Sequence, residues 1–379
     1  RASSSAAASA LVSGWLPITA IPAAAQLTTL TSLRPSYRLV ANAGSVTSQG
    51  DAAERSDDVR KFLGLDGTGV KVGVISDSFN ALGGATGDVS TGDLPGPGNP
   101  EGRTTPVNVL ADAGGTDEGR AMLQIVHDVA PGADLQFHTA GASQADLAAA
   151  IRALANAGAD VIVDDVTFPA EPMFQDGVAA QAVDQAAAAG VSYFSAAGNL
   201  GRQSYESGFR NSGVNLGSSG SGLVYTSANF YAHDFDPGTG TDLFQTVTLG
   251  PGVTTFSFQW SDRYASAGGG GAAADLDLAV FDMNGVFLST LGGFTANVGG
   301  DPTEVFQIDA GGGGQYQLAI GKFSGAADPA IVKYVAFGTG FVADEYASDS
   351  GTVFGHANAA GAAAVGAARY TDSPAFGGS

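Results

Sequence analysis

The sequence contains no cysteine among its 379 residues, so disulfides, thiol chemistry and thiolate-bound metals are excluded. It is also poor in basic residues, with 16 Lys and Arg against 37 Asp and Glu and a net charge of -21. Such a charge disfavours binding to nucleic acid and to anionic membranes. Beyond the first 25 residues, no apolar run approaches the roughly 20 residues that a membrane-spanning helix needs, so a soluble mature protein is expected.

The sequence is rich in glycine and has a low charged fraction, with 56 glycines and 14% charged residues. This composition favours an exported, loop-rich β or α/β protein. The segment "ALVSGWLPITAIPAAAQ" is apolar and closes on small residues, which is typical of a secretory signal with cleavage after Ala25. The alternative is a disordered Ala/Ser leader. We therefore predict a secreted bacterial protein with a signal-like segment at 1–25 and a linker or propeptide remnant at 26–66.

From residue 67 the pattern alternates between buried strands and helices. The strands are "VKVGVIS" (70–76), "LQFHTA" (135–140), "DVIVDDVTF" (160–168) and "VSYFSAAGN" (191–199), and Ser143 and Asp176 are predicted to cap the helices between them. This order predicts right-handed crossovers and a parallel sheet over 67–205. Ligands of such sheets bind beyond the carboxyl ends of the strands, where Asp77, Asp165 and Asn199 fall.

Between 206 and 345 the apolar residues recur with a period of two. "TTFSFQW" places Phe256, Phe258 and Trp260 on one face, and Asn284-Gly285 predicts a hairpin turn. We predict an antiparallel β-sandwich here. At 346–379 the small-residue α/β style returns, so the sandwich is predicted as an insertion into one discontinuous α/β domain whose second part is incomplete.

These segments carry a family resemblance. "GVKVGVISDS", "GTDEGRAMLQIVHDVAPGADL", "ADVIVDDVTF", "GVSYFSAAGN" and "AAAVGAARY" resemble, in order and spacing, successive blocks of the subtilase and sedolisin superfamily of serine peptidases. The segment 206–345 is similar, more loosely, to the bacterial pre-peptidase C-terminal β-sandwich. The resemblance implies a subtilisin-like parallel sheet and hydrolysis of peptide bonds in protein or peptide substrates.

The resemblance also implies roles for matching residues. Subtilases end the first block in an Asp that orients the base; here Ser76 holds that register and Asp77 follows. Glu118 stands where subtilases have the catalytic His, and sedolisins use a glutamate base at this site. A carboxylate base needs a second carboxyl group to share its proton. Sedolisins place that acid four residues later, where this chain has Met122, so the partner is Asp77 or Asp165. The alternatives are a loop-capping Asp77 and a solvated helix-start Glu118.

Asn199 matches the asparagine that completes the subtilase oxyanion hole, whereas sedolisins use aspartate there. Its alternative role is a left-handed turn residue before Gly201. Asp165 stands where subtilases keep a substrate-binding serine, and only one of Asp164 and Asp165 should point inward because strand residues alternate.

The four histidines lack any recognisable partner motif and are interpreted as structural: His127, His138, His233 and His356. A histidine-based metal site is therefore not expected, and no cofactor is predicted. Structural calcium is an open alternative at "DFDPGTGTD" and "AADLDLAVFD", which are otherwise read as solubilising turn and edge carboxylates.

The leading hypothesis is a secreted, monomeric serine endopeptidase with the catalytic residues Asp77, Glu118, Asn199 and Asp165. "GTVFGHANAAG" resembles a serine block only superficially, because Val353 stands at the serine position. Ser350, Ser373 and Ser379 are not expected to be nucleophiles, so the chain is predicted to be a truncated, inactive fragment. The alternative is a non-catalytic adhesion protein, or a protein- or carbohydrate-binding protein, on a degenerate peptidase scaffold.

Overall fold

The computed structural model describes residues 2–6, 11–14, 17–24, 26–27, 47–217, 228–325 and 327–378. The N-terminal elements are the antiparallel strands β1 (Ala2–Ala6) and β2 (Leu11–Gly14) and the helices α1 (Ile21–Ala24), α2 (Gln49–Ala53) and α3 (Ser56–Leu63). The predicted cleavage position at Ala25 and linker residues 28–46 lie outside the described residues. Within the described ranges, none of the helices has the length and apolar character to cross a membrane.

Strands and helices alternate from residue 71 to residue 196. They are β3 (Lys71–Ser76), α4 (Ala85–Thr91), β4 (Asn108–Ala111), α5 (Glu118–Val129), β5 (Asp134–Thr139), α6 (Gln144–Asn156), β6 (Val161–Asp164), α7 (Val178–Ala188) and β7 (Ser192–Ala196). The chain then forms a series of antiparallel strands: β8 (Ser204–Gly208), β9 (Asn211–Asn215), β10 (Tyr231–His233), β11 (Gln245–Leu249), β12 (Val253–Trp260), β13 (Ala274–Phe281), β14 (Phe287–Gly293), β15 (Thr303–Asp309), β16 (Gly314–Gly325), β17 (Ile331–Phe337) and β18 (Val342–Ala343).

The last strand, β19 (Ala362–Val365), returns to the first sheet and pairs in parallel with β7. Short 3-10 turns complete the chain at Ile18–Ala20, Gly355–Asn358, Tyr370–Asp372 and Pro374–Phe376. The parallel sheet has six strands in the order β19-β7-β6-β3-β5-β4. The predicted α/β class, a parallel sheet with flanking helices together with antiparallel sheets, is confirmed.

The two faces of the parallel sheet are covered by different helices. Val74 packs against Leu123 of α5, whereas its neighbour Ile75 packs against Leu147 and Ile151 of α6. Successive strand residues point to opposite faces, so the alternation along β3 assigns one face to α5 and the other to α6 and α7. This division determines which polar residues at the end of the sheet can meet.

One of the two predicted helix caps is confirmed and the other is wrong. Ser143 caps α6 as predicted, because its side chain accepts a hydrogen bond from the Asp146 N–H. The prediction of Asp176 as the cap of α7 was wrong: the N-cap is Gly177, which makes no side-chain capping bond. A Cβ at Gly177 would lie 2.7 Å from Cδ of Pro172, so close packing of the preceding loop requires a glycine at this position.

The antiparallel strands form two sheets that share one core. One sheet has the order β15-β12-β17-β8, and the other contains β14, β13, β16, β10 and β9 with β11 and β18 attached. Phe256, Phe258 and Trp260 of β12 are fully buried against Leu278 and Ile320 of the facing sheet. This confirms the common face predicted for the three aromatic residues, and Gly285 takes a positive φ of 77° in the predicted turn.

Candidate functional site

The candidate site lies at the carboxyl edge of the parallel sheet. β3 ends at Ser76, and Ser76 pairs with Thr139, the last residue of β5. One residue further on is Asp77, and the helix α5 starts at Glu118. The loops that follow parallel strands meet at this edge, so the first two predicted catalytic residues are brought together.

Asp77 joins the end of β3 to the start of α5. Its Oδ2 accepts hydrogen bonds from N–H and Oγ1 of Thr116 at 2.5 and 2.6 Å, and its Oδ1 accepts from the N–H of Ser78 at 2.5 Å and of Glu118 at 3.1 Å. Burial raises the pKa of Asp77, but these hydrogen bonds outweigh it and hold the pKa below its ordinary value. Asp77 is therefore an ionised carboxylate that caps the first turn of α5, as the loop-capping alternative predicted.

Glu118 is an exposed residue whose side chain reaches back to the sheet. Its Oε2 accepts a hydrogen bond from Oγ of Ser76 at 3.1 Å. The next residue, Gly119, allows this approach, since a Cβ there would lie 2.2 Å from Cε2 of Phe137 and 2.9 Å from the carbonyl oxygen of Ser78. The solvated-glutamate alternative is thus incomplete, because Glu118 is exposed but is also tied to the last residue of β3.

The residue before Glu118 has a strained backbone. Asp117 is the N-cap of α5 and has a left-handed φ of 62°, a conformation that costs a non-glycine residue about 1–3 kcal/mol. Its buried carboxylate offsets this cost by bonding to Nη2 of Arg120 at 2.7 Å and to the N–H of Leu82 at 3.1 Å. Asp117 and its partners therefore fix the direction in which Glu118 leaves the loop.

The other two predicted residues lie apart from this pair. Asp165 is exposed just beyond β6, while Asp164 is buried, which confirms that only one of the two points inward. Within the described part of the chain, no hydrogen bond links Asp165 to Asp77 or Glu118. Asn199 is exposed after β7, and the positive φ angles of its turn belong to Gly198 (74°) and Gly201 (58°). The left-handed role proposed for Asn199 was therefore wrong.

A small surface depression lies beside Asn199. Ala196, Ala197 and Gly198 from the end of β7 line one side, and Thr352, Val353 and Phe354 line the other. Val353, which stands at the position of a nucleophile in the superficially similar serine block, is thus part of an apolar wall.

A second polar cluster was missed by sequence reasoning. His356 lies between two buried carboxylates, with Nδ1 at 2.8 Å from Oε1 of Glu171 and Nε2 at 3.1 Å from Oδ1 of Asp164. Oγ of Ser195 donates to the same Asp164 oxygen at 2.9 Å and lies 3.3 Å from Nε2 of His356. His356, interpreted from the sequence as structural and without a partner motif, therefore has two carboxylate partners that no motif indicated.

The two clusters occupy opposite faces of the sheet. Asp164 pairs in register with Ile75 and Ser195, on the face that α6 and α7 cover. Ser76 follows Ile75 and so points, with Glu118, to the α5 face. Asp164 is consequently separated from Glu118 by the sheet itself.

The buried cluster has the connectivity of a Ser–His–acid triad but not its accessibility. Ser195, His356 and Asp164 are each 1% exposed, and Glu171 is 2% exposed. A nucleophile must reach the carbonyl carbon of a substrate, so Ser195 is not placed to act as one. Burial lowers the pKa of His356, but hydrogen bonds and charges from Asp164 and Glu171 outweigh it and raise the pKa to about 10.

The remaining histidines are structural. His127 is 1% exposed on α5, and burial followed by repulsion from Arg103 lowers its pKa to about 4. His233 accepts from the N–H of Arg210 and contacts the Tyr205 hydroxyl, both at 3.0 Å, and burial lowers its pKa to about 3. His138 is half-buried in β5.

Within the described residues, neither Ser350 nor Ser373 is hydrogen-bonded to an acidic or basic side chain. Oγ of Ser350 lies 2.6 Å from Oγ of Ser204, and Oγ of Ser373 donates to the carbonyl of Tyr370 at 2.7 Å. Ser379 lies outside the described residues.

The carboxylates considered for calcium are engaged in turns or strands. Oδ1 of Asp234 accepts from the N–H of Asp236 and Asp242, and Asp275 and Asp277 are buried in β13. In the ranges that the structure describes, no three or more His, Asp or Glu side chains are grouped so as to hold a metal ion.

No protein-family model and no curated protein matches the chain. Three proteases and a cycloisomaltooligosaccharide glucanotransferase are among the solved structures that resemble part of it. A lanthipeptide protease shares 18% identity and a TM-score of 0.29, over 40% of this chain and 45% of that one. The prenylagaramide maturation protease PagA shares 16% identity and a TM-score of 0.28, over 40% of this chain and 52% of that one. An S41 psychrophilic protease shares 22% identity and a TM-score of 0.23, over 36% of this chain and 48% of that one. The match thus spans about half the length of these proteases.

Proposed function

We propose that the protein is a secreted bacterial serine endopeptidase of the subtilase/sedolisin type, acting as a monomer on protein or peptide substrates with a carboxylate base in place of histidine. The supporting observation is the position of Glu118. It is exposed at the carboxyl edge of the parallel sheet, at the first turn of α5, and its N–H bonds to Asp77. Calcium, if any, has a structural role in this proposal.

In the proposed reaction Glu118 takes the proton from the attacking serine hydroxyl while the serine oxygen bonds to the substrate carbonyl carbon. Glu118 then gives the proton to the leaving amine as the peptide bond breaks. Asp77 acts through the loop, because it fixes the N–H of Glu118 and of Thr116. The side-chain amide of Asn199 donates to the developing oxyanion. Asp165, exposed on the same edge, faces the substrate.

No segment of the sequence fits the G-T-S-x-A-x-P pattern, so this proposal assigns no serine of the chain as the nucleophile. Ser76 is hydrogen-bonded to Glu118 but is fully buried, so a substrate carbonyl cannot reach it. The 379-residue chain alone should therefore hydrolyse no casein and should not react with a fluorophosphonate probe. Labelling at Ser350 together with proteolysis would overturn this assignment.

The second candidate is a non-catalytic binding protein that works through its β-sandwich. The observation in its favour is Val353, which lacks a hydroxyl at the serine position of the superficially similar block. Hydrolysis of casein separates the two candidates, because only the peptidase is expected to cleave it.

The decisive test is the change Glu118→Gln in a form of the protein that hydrolyses peptides. The amide keeps the shape and the bond to Ser76 but cannot take a proton, and the loss of a general base typically costs about 10²–10⁴-fold in rate. We expect turnover of a casein-derived peptide to fall by at least about 10²-fold with an unchanged melting temperature.

The matched control is Glu101→Gln, because Glu101 is also an exposed glutamate but lies outside the site. It should leave turnover unchanged. Equal activity of wild type and Glu118→Gln would show that another group is the base. If both proteins are inactive but bind a protein ligand, the second candidate, the binding protein, is favoured.

A further inference from the structure

The buried cluster around His356 lies where three parts of the chain meet. Asp164 is the last residue of β6, Ser195 belongs to β7, and Glu171 comes from the loop between β6 and α7. His356 itself belongs to the 3-10 turn that precedes β19. The imidazole thus contacts the sheet and the loop at the same time.

The geometry around the ring matches a charged imidazole. Each ring nitrogen faces a carboxylate oxygen, and a neutral ring has only one N–H to donate. Glu171 also accepts the backbone N–H of His356 at 2.7 Å, so the acid holds both the ring and its backbone. A charge buried to this extent is stable only when it is paired and hydrogen-bonded, as it is here.

Among the described residues, no Lys or Arg forms an ion pair with Asp164 or Glu171 beside the ring. The Tyr193 hydroxyl is buried on the face of β7 that carries Ser195, and burial and Asp164 raise its pKa far above its ordinary value, so it stays neutral. On α7, the carboxylate of Asp184 accepts the N–H of Gly361 at 2.7 Å. The two acids beside His356 therefore depend on its charge for compensation.

The loop that supplies Glu171 is also bonded to the β-sandwich. The carbonyl of Glu171 accepts from Nε2 of Gln259 at 2.8 Å, and Oε1 of Gln259 accepts from the N–H of Met173 at 2.8 Å. Gln259 lies on β12, is fully buried and accepts a further bond from the Tyr264 hydroxyl. The N–H of Tyr264 in turn donates to Oε1 of Gln175 at 3.1 Å.

Glu171 therefore connects the parallel-sheet unit to the β-sandwich, because its carboxylate contacts His356 and its backbone carbonyl accepts a hydrogen bond from Gln259. We propose that His356 is a positioning residue whose imidazolium, held by Asp164 and Glu171, fixes the loop 165–177 and through it fixes the β-sandwich on the parallel-sheet unit. This role does not depend on the proposed peptidase activity. It assigns the buried triad-like cluster to docking rather than to chemistry.

The test compares amide hydrogen exchange in wild type and His356→Gln at pH 7. Loss of the charge should leave Glu171 uncompensated and accelerate exchange at least tenfold at 169–175 and at Gln259 to Tyr264. Exchange in β3 and β5, on the other side of the sheet, should stay unchanged.

The matched control is His127→Gln, since His127 is also 1% exposed but its Nδ1 has no hydrogen-bond partner among the described residues. It should not accelerate exchange in the loop. A second variant, Glu171→Gln, keeps an acceptor for the ring but removes the charge, and it carries the test if His356→Gln does not fold. It should open the same loop.

A pH titration distinguishes a positioning charge from simple packing. In wild type, raising the pH from 7 to 10.5 should lower the protection factors of the loop, which are measured relative to the intrinsic exchange rate at each pH, toward those of His356→Gln. The protection factors of the loop in the variant should not change with pH. Uniform acceleration throughout the chain, acceleration confined to 355–358, or a loop that opens equally with pH in both proteins would each overturn the proposal.

Discussion

Asp77 illustrates how one carboxylate at the end of a strand can hold a distant helix start in place. Its oxygens accept from Ser78, which follows it, and, about forty positions later in the chain, from Thr116 in the loop before α5 and from Glu118, the first residue of α5. The bonds satisfy N–H groups that the first turn of a helix leaves without intrahelical partners. The same contacts would hold a catalytic Glu118 rigidly.

The change Asp77→Asn tests this contribution. An amide group presents an N–H₂ where an oxygen now accepts, so donors of Thr116 or Ser78 lose their partner, at a cost of about 1–3 kcal/mol. Because the pKa of Asp77 is lowered, its contribution is present above the unfolded value of 3.8 and is lost as the pH falls through the lower folded value. Urea unfolding at pH 7 and pH 3 measures both effects.

Asp165, which is exposed just beyond the adjacent strand β6, provides the control. Asp165→Asn should change the free energy of unfolding by less than about 0.5 kcal/mol. A pH-independent loss in Asp77→Asn, equal at pH 7 and pH 3, would contradict the assignment of an ionised carboxylate.

The sequence placed Asp77 and Glu118 at one edge of the sheet and predicted Asp77 or Asp165 as the carboxyl partner of Glu118, whereas the bond in the structure joins Asp77 to the N–H of Glu118. The cluster at His356 was not predicted, for a physical reason. Asp77 directly follows a strand whose period and length are visible, and Glu118 directly precedes an amphipathic helix. Glu171 and His356 are 185 positions apart, and the loop that carries Glu171 has no periodicity. Only the return of β19 to the sheet brings them together.

Among the elements, α6 and α7 show where local rules suffice. Oγ of Ser143 accepts the N–H of Asp146 at 3.2 Å and donates to its Oδ2 at 2.8 Å, so the capping interaction is complete within four residues. At α7 the contacts of the preceding loop decide, and the close approach of Pro172 to Gly177 moves the cap one residue beyond Asp176. A sequence rule based on neighbours could not anticipate that contact.

Ser143→Ala should therefore destabilise the protein, whereas Asp176→Ala should not. Loss of an N-cap side chain typically costs about 0.5–2 kcal/mol. Asp176 is exposed and makes no capping bond, so its removal should cost less than about 0.5 kcal/mol. Urea denaturation of both variants measures the difference. Equal losses would show that the assignment of the two caps is wrong.

At the scale of the whole molecule, stability depends on buried ionisable groups in both units. Burial raises the pKa of Glu304 in β15 to about 7, against bonds from Thr295, and raises that of Asp128 on α5 to about 6, against a bond from Ser48. His127 and His233 are shifted the other way. The net charge of -21 adds repulsion that grows as carboxyl groups ionise.

These shifts predict a stability that declines toward alkaline pH. The contribution of His356 to the free energy of unfolding is complete below its unfolded pKa of 6.5 and is lost as the pH rises to its folded pKa of about 10. The contribution of Glu304 is lost between its unfolded pKa of 4.5 and its folded pKa of about 7. The lowered pKa values of His127 and His233 stabilise the folded protein above pH 6.5, and this stabilisation is lost as the pH falls below 6.5. The loss offsets the stability that the buried acids gain over the same fall in pH. Little change is therefore expected between pH 5 and 6.5, and a steady fall above.

Urea unfolding from pH 5 to pH 10 at constant ionic strength checks this expectation. The wild type should lose roughly 2 kcal/mol or more between pH 6.5 and 10, since one unit of pKa difference is worth about 1.4 kcal/mol. His356→Gln should start less stable and show a flatter decline, because its charge is absent at every pH. Glu304→Gln should gain stability above pH 7, where the wild type must keep a buried carboxylate ionised. A wild-type stability that rises from pH 6.5 to 10 would mean that the imidazolium does not hold the two units together.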